Sequence, residues 1–160
     1  VCETGELQMT SASITFEVPG TPVAKGRPRF SHRSHHVYTP SKTRAHEKLI
    51  RGIALVEMNR RNLQPFSGAV SLSICAIFAP PKSWPKWKRE LALRGDLHHT
   101  TKPDKDNIEK LIKDALNGIC YDDDALVIDG RTKKLYSATP ITWVTVTQVP
   151  GAHSQTKTKP

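Results

Sequence analysis

No segment of this 160-residue chain comes near the roughly 20 apolar residues that a membrane-spanning helix requires. Its mean hydropathy, −0.47, is that of a polar protein. No basic stretch followed by an apolar run marks a secretory leader at the N-terminus. Cysteine is scarce: Cys2, Cys75 and Cys120 lie far apart, with no CxxC spacing. That excludes a disulfide scaffold and a structural zinc site, and a reducing cytoplasm is the expected compartment. Internal repeats and an interior linker are also missing. One domain over 13–149 is expected, between an aperiodic tail (1–12) and a basic tail (150–160).

Acids are outnumbered, 15 Asp and Glu against 24 Lys and Arg, for a net charge of +9. They are also unevenly placed. Between Asp104 and Asp129 stand eight acids and only three bases, which leaves the rest of the chain at +14. A body that basic suits a polyanion, because Lys and Arg displace the counterions of phosphates. An acidic island inside it would repel those same phosphates unless a divalent cation reversed the local sign. The simpler alternative is a set of helix caps and solvated acids.

Alternation marks strands at 14–18 and over Val70–Phe78, and predicts a strand over Ala125–Ser137, either regular or with a bulge at Gly130, in a hairpin with Ile141–Val149. Cys75 is expected as a small buried side chain. A helix is predicted over 42–62 with Ser41 as N-cap and Ala45, Leu49, Ile53 and Val56 as its core stripe. A short basic helix ends near Gly95; Trp84 and Trp87 are read as pinning it to the body, with base stacking as the alternative. His98 and His99 have no clear partner. From about Asp106, Ile108, Leu111, Ile112, Ala115 and Leu116 form one apolar helical face, stopped by Gly118. Between strand and first helix, Lys25, Arg27, Arg29 and Arg33 crowd a Gly- and Pro-bearing loop with almost no acid nearby. It reads as a phosphate-gripping loop in preference to a solvated basic turn.

Chemistry concentrates at Lys102-Pro103-Asp104-Lys105-Asp106-Asn107. Side chains two apart share a face in extended backbone, so Asp104 and Asp106 are expected to converge where the helix starts. The helix of about eleven residues that follows can fold Asp122–Asp124 back towards them. Such hard oxygens suit Mg²⁺ or Mn²⁺. A capping box of Asp106 and Glu109 is the competing explanation for Asp106 alone. Lys110, one turn after Asp106, is either a catalytic cation or its i,i+4 salt-bridge partner.

At these residues the chain resembles the RusA family of Holliday junction resolvases. The matching text is Val18-Pro19-Gly20-Thr21-Pro22-Val23-Ala24-Lys25-Gly26-Arg27-Pro28-Arg29, Tyr38-Thr39-Pro40, Lys102 to Lys110, Asp114-Ala115-Leu116-Asn117-Gly118 and Asp123-Asp124-Ala125. The resemblance implies an α/β (α+β) endonuclease with a small mixed sheet flanked by helices. It implies an intertwined homodimer that cuts four-way DNA junctions by paired nicks with Mg²⁺, or Mn²⁺ in its place, in recombination and repair. By position, Asp104, Asp106 and Asp124 are the implied metal-binding carboxylates, with Asp123 taking the place of Asp124 if the register slips by one. Lys110 is the implied catalytic lysine, and Lys25, Arg27, Arg29, Arg33 and Lys102 the DNA contacts. No membrane partner or small-molecule cofactor is expected, and the host is bacterial or a phage within one. Leu126 departs from the glutamine common there. A non-catalytic structure-selective DNA-binding protein is the alternative, and an RNA-acting metal nuclease a third.

Overall fold

The computed structural model of the chain describes residues 11–33 and 35–151. The outer parts of both expected tails, with Cys2, fall outside the described residues. Among the described residues, six strands and three helices follow one another: β1 (Ser13–Pro19), β2 (Arg29–Ser31), β3 (His36–Tyr38), α1 (Ser41–Arg60), β4 (Val70–Phe78), α2 (Lys86–Arg94), α3 (Lys105–Leu116), a 3-10 turn (Asp124–Leu126), β5 (Val127–Tyr136) and β6 (Ile141–Gln148). Four strands form a mixed sheet in the order β1-β6-β4-β5, and β2 with β3 makes a separate two-stranded ribbon. This is the expected α+β architecture with a mixed sheet and flanking helices.

The sheet is covered on one face, which is why its strands alternate. Ile14, Phe16 and Val18 of β1, Val70, Leu72, Ile74, Ala76 and Phe78 of β4, and Val144 and Val146 of β6 point into one core. Ile50, Ala54 and Met58 of α1 and Ile108, Leu111, Ile112, Ala115 and Leu116 of α3 close it. The α3 stripe is the one predicted. Each of its fully buried Ile and Leu side chains contributes about 1.5–3 kcal/mol. Gly118, at φ +77°, adopts the left-handed conformation that ends the helix. The opposite sheet face is polar and open, with Thr15 and Thr145 hydroxyls 3.0 Å apart.

Several expectations are corrected. Strands β5 and β6 form no hairpin: β4 lies between them, parallel to β5 and antiparallel to β6. β4 is apolar enough to be paired on both edges, whereas β5 carries exposed Ile128, Asp129, Gly130, Arg131 and Lys133 and takes the sheet edge. The parallel pairing needs a crossover, which the α2–α3 segment supplies. The register shift falls opposite Val70 and Ser71, at Ile128, not at Gly130. On α1, Ala45, Leu49 and Val56 are exposed, Ile53 is half-buried and packs against the core, and the fully buried line is Ile50, Ala54 and Met58. Two apolar lines about 100° apart run along this helix, and periodicity alone does not say which faces the sheet. Pro40, not Ser41, holds the cap position, with no side-chain cap bond. The basic loop contains the β2–β3 ribbon. Cys75 is half-buried on the open sheet face. Trp84 packs edge-on to Tyr136, 5.6 Å between centroids, but Trp87 is exposed and pins nothing.

Candidate active site: an acidic cavity in a basic body

Asp104 precedes the first turn of α3 with extended backbone (φ −71°, ψ 141°), and its carboxylate makes no capping bond. Asp106 already lies inside the first turn. The face-sharing rule for extended chain therefore fails between them: two residues apart on a helix is about 200° around the axis. Each opens onto its own concavity. Asp106, Glu109, Lys110, Lys113 and Asp114 of α3 line a cavity of about 330 Å³, and Asp124 joins them from the 3-10 turn. Asp104 lines a neighbouring concavity of about 670 Å³ with Ala24, Arg27, Lys102, Pro103 and Asn107.

Asp106, Asp124 and Lys110 thus share one cavity, while Asp104, expected to converge with Asp106, lines the neighbouring concavity with Arg27 and Lys102. Among the described residues, the carboxylates of Asp104, Asp106 and Asp124 and the Lys110 ammonium have no hydrogen-bond or ion-pair partner. The i,i+4 pair of Asp106 with Lys110 is not formed. Nor is the capping box: Glu109 reaches across to β5 and accepts a 3.0 Å hydrogen bond from Thr132 Oγ1. Asp123 and Asp124 divide their work. Asp123 accepts the Ala125 amide at 2.8 Å and caps the 3-10 turn; Asp124 faces the cavity.

No three His, Cys, Asp or Glu side chains among the described residues are gathered closely enough to hold a metal ion. The donor chemistry still fits a hard cation. Mg²⁺ is commonly held by one or two carboxylates, with water and substrate phosphates completing its shell. Asp106 and Asp124 are two such groups, free of other partners, in one cavity.

Lys25 is held inside the chain. Its ammonium is bonded to Glu47 of α1 and lies 2.8 Å from Asp114 of α3. Burial pulls its pKa down, but the hydrogen bonds it donates to Asp114 and Glu47, with their negative charge, outweigh that and raise it above the ordinary lysine value. Its amide also donates to Asn107 O at 2.8 Å, and the Gly26 amide to Thr43 Oγ1 at 3.2 Å. A Cβ at Gly26 would stand 2.9 Å from Thr43 Oγ1 and 3.0 Å from Pro40 Cγ, so only glycine lets the segment lie this close. Arg27, Arg29 and Arg33 stay exposed beyond that anchor. Lys134 Nζ donates to Thr101 O (2.7 Å) and Pro103 O (3.0 Å), fixing the approach to Asp104 from β5.

His99 is buried, stacked on Phe78 with ring centroids 4.0 Å apart and an interplanar angle of 28°. Its Nδ1 has no partner, and burial, with Lys134 nearby, lowers its pKa. His98 is exposed.

Sequence reasoning missed Glu109, Lys113 and Asp114 as cavity residues. With Asp106 and Lys110 they fall at i, i+3, i+4, i+7 and i+8, the same template that found the apolar face of α3. Applied to polar residues, it finds the cavity wall.

A basic α+β body around an acidic, lysine-bearing cavity suits a protein with a polyanionic partner. Residues 19–147 match the family model described as "Endodeoxyribonuclease RusA". The chain belongs to the RusA family of Holliday junction endodeoxyribonucleases. A Bacillus subtilis (strain 168) protein, the uncharacterized YqaN, is 40% identical over 140 residues, covering 85% of this chain and 96% of the relative.

Proposed function

We propose that this chain is a Mg²⁺-dependent resolvase that nicks four-way DNA junctions in paired fashion during recombination and repair, with Mn²⁺ able to replace Mg²⁺. It works in the cytoplasm of a bacterial cell, its gene bacterial or carried by a prophage. The observation that carries the reading is the cavity shared by Asp106, Asp124 and Lys110 within a +14 body. Asp106 and Asp124 would hold the cation, and Asp104, on the adjoining concavity, is the third carboxylate of the proposed set. When bound, the cation makes a water nucleophilic at neutral pH and offsets charge on the scissile phosphate. Lys110, without a carboxylate partner, is free to hydrogen-bond a non-bridging or leaving oxygen. Arg27 and Lys102 line the concavity of Asp104 and grip the flanking phosphates, with Arg29 and Arg33 further out. Lys25 holds their segment in place.

Paired nicks need two sites, which a two-fold dimer supplies. The outward line of α1, with Leu49, Ile53 and Val56 around an apolar hollow of about 610 Å³, offers the surface for a second copy. Val56→Asp is expected to yield monomers by sedimentation; an unchanged dimer would move the interface elsewhere.

The decisive assay is cleavage of a synthetic four-way junction beside linear duplex, with and without Mg²⁺. Asp124→Asn should lose cleavage and keep binding, while Asp123→Asn keeps both; the reverse outcome would put the site one residue earlier. Lys110→Ala should fold and bind normally but cut slowly. The absence of a three-carboxylate cluster among the described residues favours a second reading, a structure-selective DNA-binding protein without catalysis. Selective binding with no cleavage at any Mg²⁺ concentration would establish that one instead.

A further inference from the structure

The β2–β3 ribbon is exposed on both faces. Phe30 stands opposite Val37 and Arg29 opposite Tyr38 in the antiparallel register, so each pair shares one face. Phe30 is 51% exposed, Val37 68% and Tyr38 46%. A two-stranded ribbon is marginal alone, and apolar side chains left on it gain only when something covers them. Charge narrows the choice of occupant. Between Val18 and His46 there are six Lys and Arg and no Asp or Glu. A second copy would bring the same positive charge to the ribbon, whereas the outward line of α1 includes Glu57 beside its apolar residues. The ribbon therefore suits an anion that also has flat apolar faces.

The aromatic geometry points the same way. His32 and His35 flank Phe30 at centroid distances of 5.3 and 6.3 Å, with interplanar angles of 85° and 64°. Neither ring is stacked parallel on Phe30, and the Phe30 side chain keeps about half its surface open to solvent.

We infer that the β2–β3 ribbon is a base-stacking element, in which Phe30, with Tyr38 on the other face, takes an unstacked nucleobase at the branch point of a DNA junction. Inside intact duplex both faces of every base are covered by neighbours. Away from duplex ends, a base loses one where strands exchange, so a stacking side chain discriminates junction from duplex interior while Arg29 and Arg33 hold phosphate of either. The inference rests on the junction-acting reading and adds to it the means of choosing the substrate.

The test uses the full chain in EDTA and a four-way junction carrying 2-aminopurine at the branch point. Wild-type binding should change the probe's fluorescence. Phe30→Ala and Phe30→Leu should remove most of that change and weaken junction binding roughly tenfold, the scale of one lost base stack. Phe30→Tyr should restore both, and affinity for linear duplex should not move. The ribbon adds nothing to the core, so melting temperatures should match the wild type; if a Phe30 variant misfolds, Tyr38→Ala gives the same readouts. Equal junction affinity and fluorescence for Phe30→Ala and wild type would overturn the inference. So would full function in Phe30→Leu, which keeps an apolar contact without a ring, or conversion of Phe30→Ala to a monomer. A wild type that cleaves junctions with Mg²⁺ but leaves the probe unchanged sinks the stacking role alone. A wild type without preference for junctions sinks both.

Discussion

Replacing Lys25 with Met separates two roles for a lysine in a basic segment. If it grips phosphate, its loss weakens DNA binding and lowers the slope of log K against log salt by about 0.9, with stability untouched. If it ties the segment to α1 and α3, stability falls. The structure favours the second. The Lys25, Glu47 and Asp114 side chains are only 23%, 22% and 33% exposed. Exposed pairs contribute about 0–1 kcal/mol, and breaking a buried one costs about 3–5 kcal/mol. A partly covered ammonium shared by two carboxylates belongs between these, at about 1–2 kcal/mol. With a urea slope of about 2 kcal/mol/M, that lowers the unfolding midpoint by about 0.5–1 M. The raised pKa sets the pH window. The contribution is fully present below the unfolded value of 10.5 and is lost only as pH climbs through the higher folded value. The gap between wild type and variant should therefore hold from pH 6 to 9. Arg27→Ala serves as the contrast, with a changed salt slope and an unchanged midpoint. A Lys25→Met protein with wild-type stability and one unit less of salt slope would refute the tether.

Further outcomes concern the cavity and the core. Gly130→Ala would put a Cβ 2.2 Å from Glu109 Oε1 and push that carboxylate off Thr132, so slower junction cleavage is expected. Thr132→Val, which removes the hydrogen bond but leaves the space, should cost about 1 kcal/mol by urea melt. The lowered pKa of His99 means that the unfolded chain takes up its proton first. Stability should fall as pH drops below 6.5, and His99→Phe should flatten part of that loss in melting temperature; His46, also lowered by burial and by Lys42, leaves a remainder. In EDTA, Asp124→Asn should bind junction DNA about two- to fourfold more tightly, as expected for removing one charge about 5 Å from phosphate in a watery cavity. Adding Ca²⁺ should close that gap, and an anisotropy titration reads both.

The elements with one consistent signal were legible from sequence. Every second residue of β4 from Val70 to Phe78 is apolar and buried, and the five apolar residues of α3 fall on a single line. Where the chain carries two signals, the sequence does not choose. Helix α1 has Leu49, Ile53 and Val56 on one line and Ile50, Ala54 and Met58 on another, and only the packed sheet decides between them. Strand pairing is likewise a property of the whole sheet: nothing local in 125–149 says that β4 will enter between β5 and β6. At the site, the residue types were legible and their distribution was not. Asp104 and Asp106 look like one extended pair until the helix is seen to begin at Lys105, which turns them to different sides.

That separation explains why the site is built from one helix and one anchored segment. Asp106, Lys110 and Asp114 lie on successive turns of α3, so the cavity wall is as rigid as the helix. Asp114 serves two structures at once, lining the cavity and holding Lys25. Two residues beyond Lys25, Arg27 enters the concavity of Asp104. The exposed Arg27 and the acids of the cavity are therefore fixed against the same helix, by a lysine whose own charge is paired with Glu47 and Asp114. On the proposed function, a phosphate drawn in by Arg27 and Lys102 would arrive beside the acids in a set position, and a cation between them would turn that opposition into attraction.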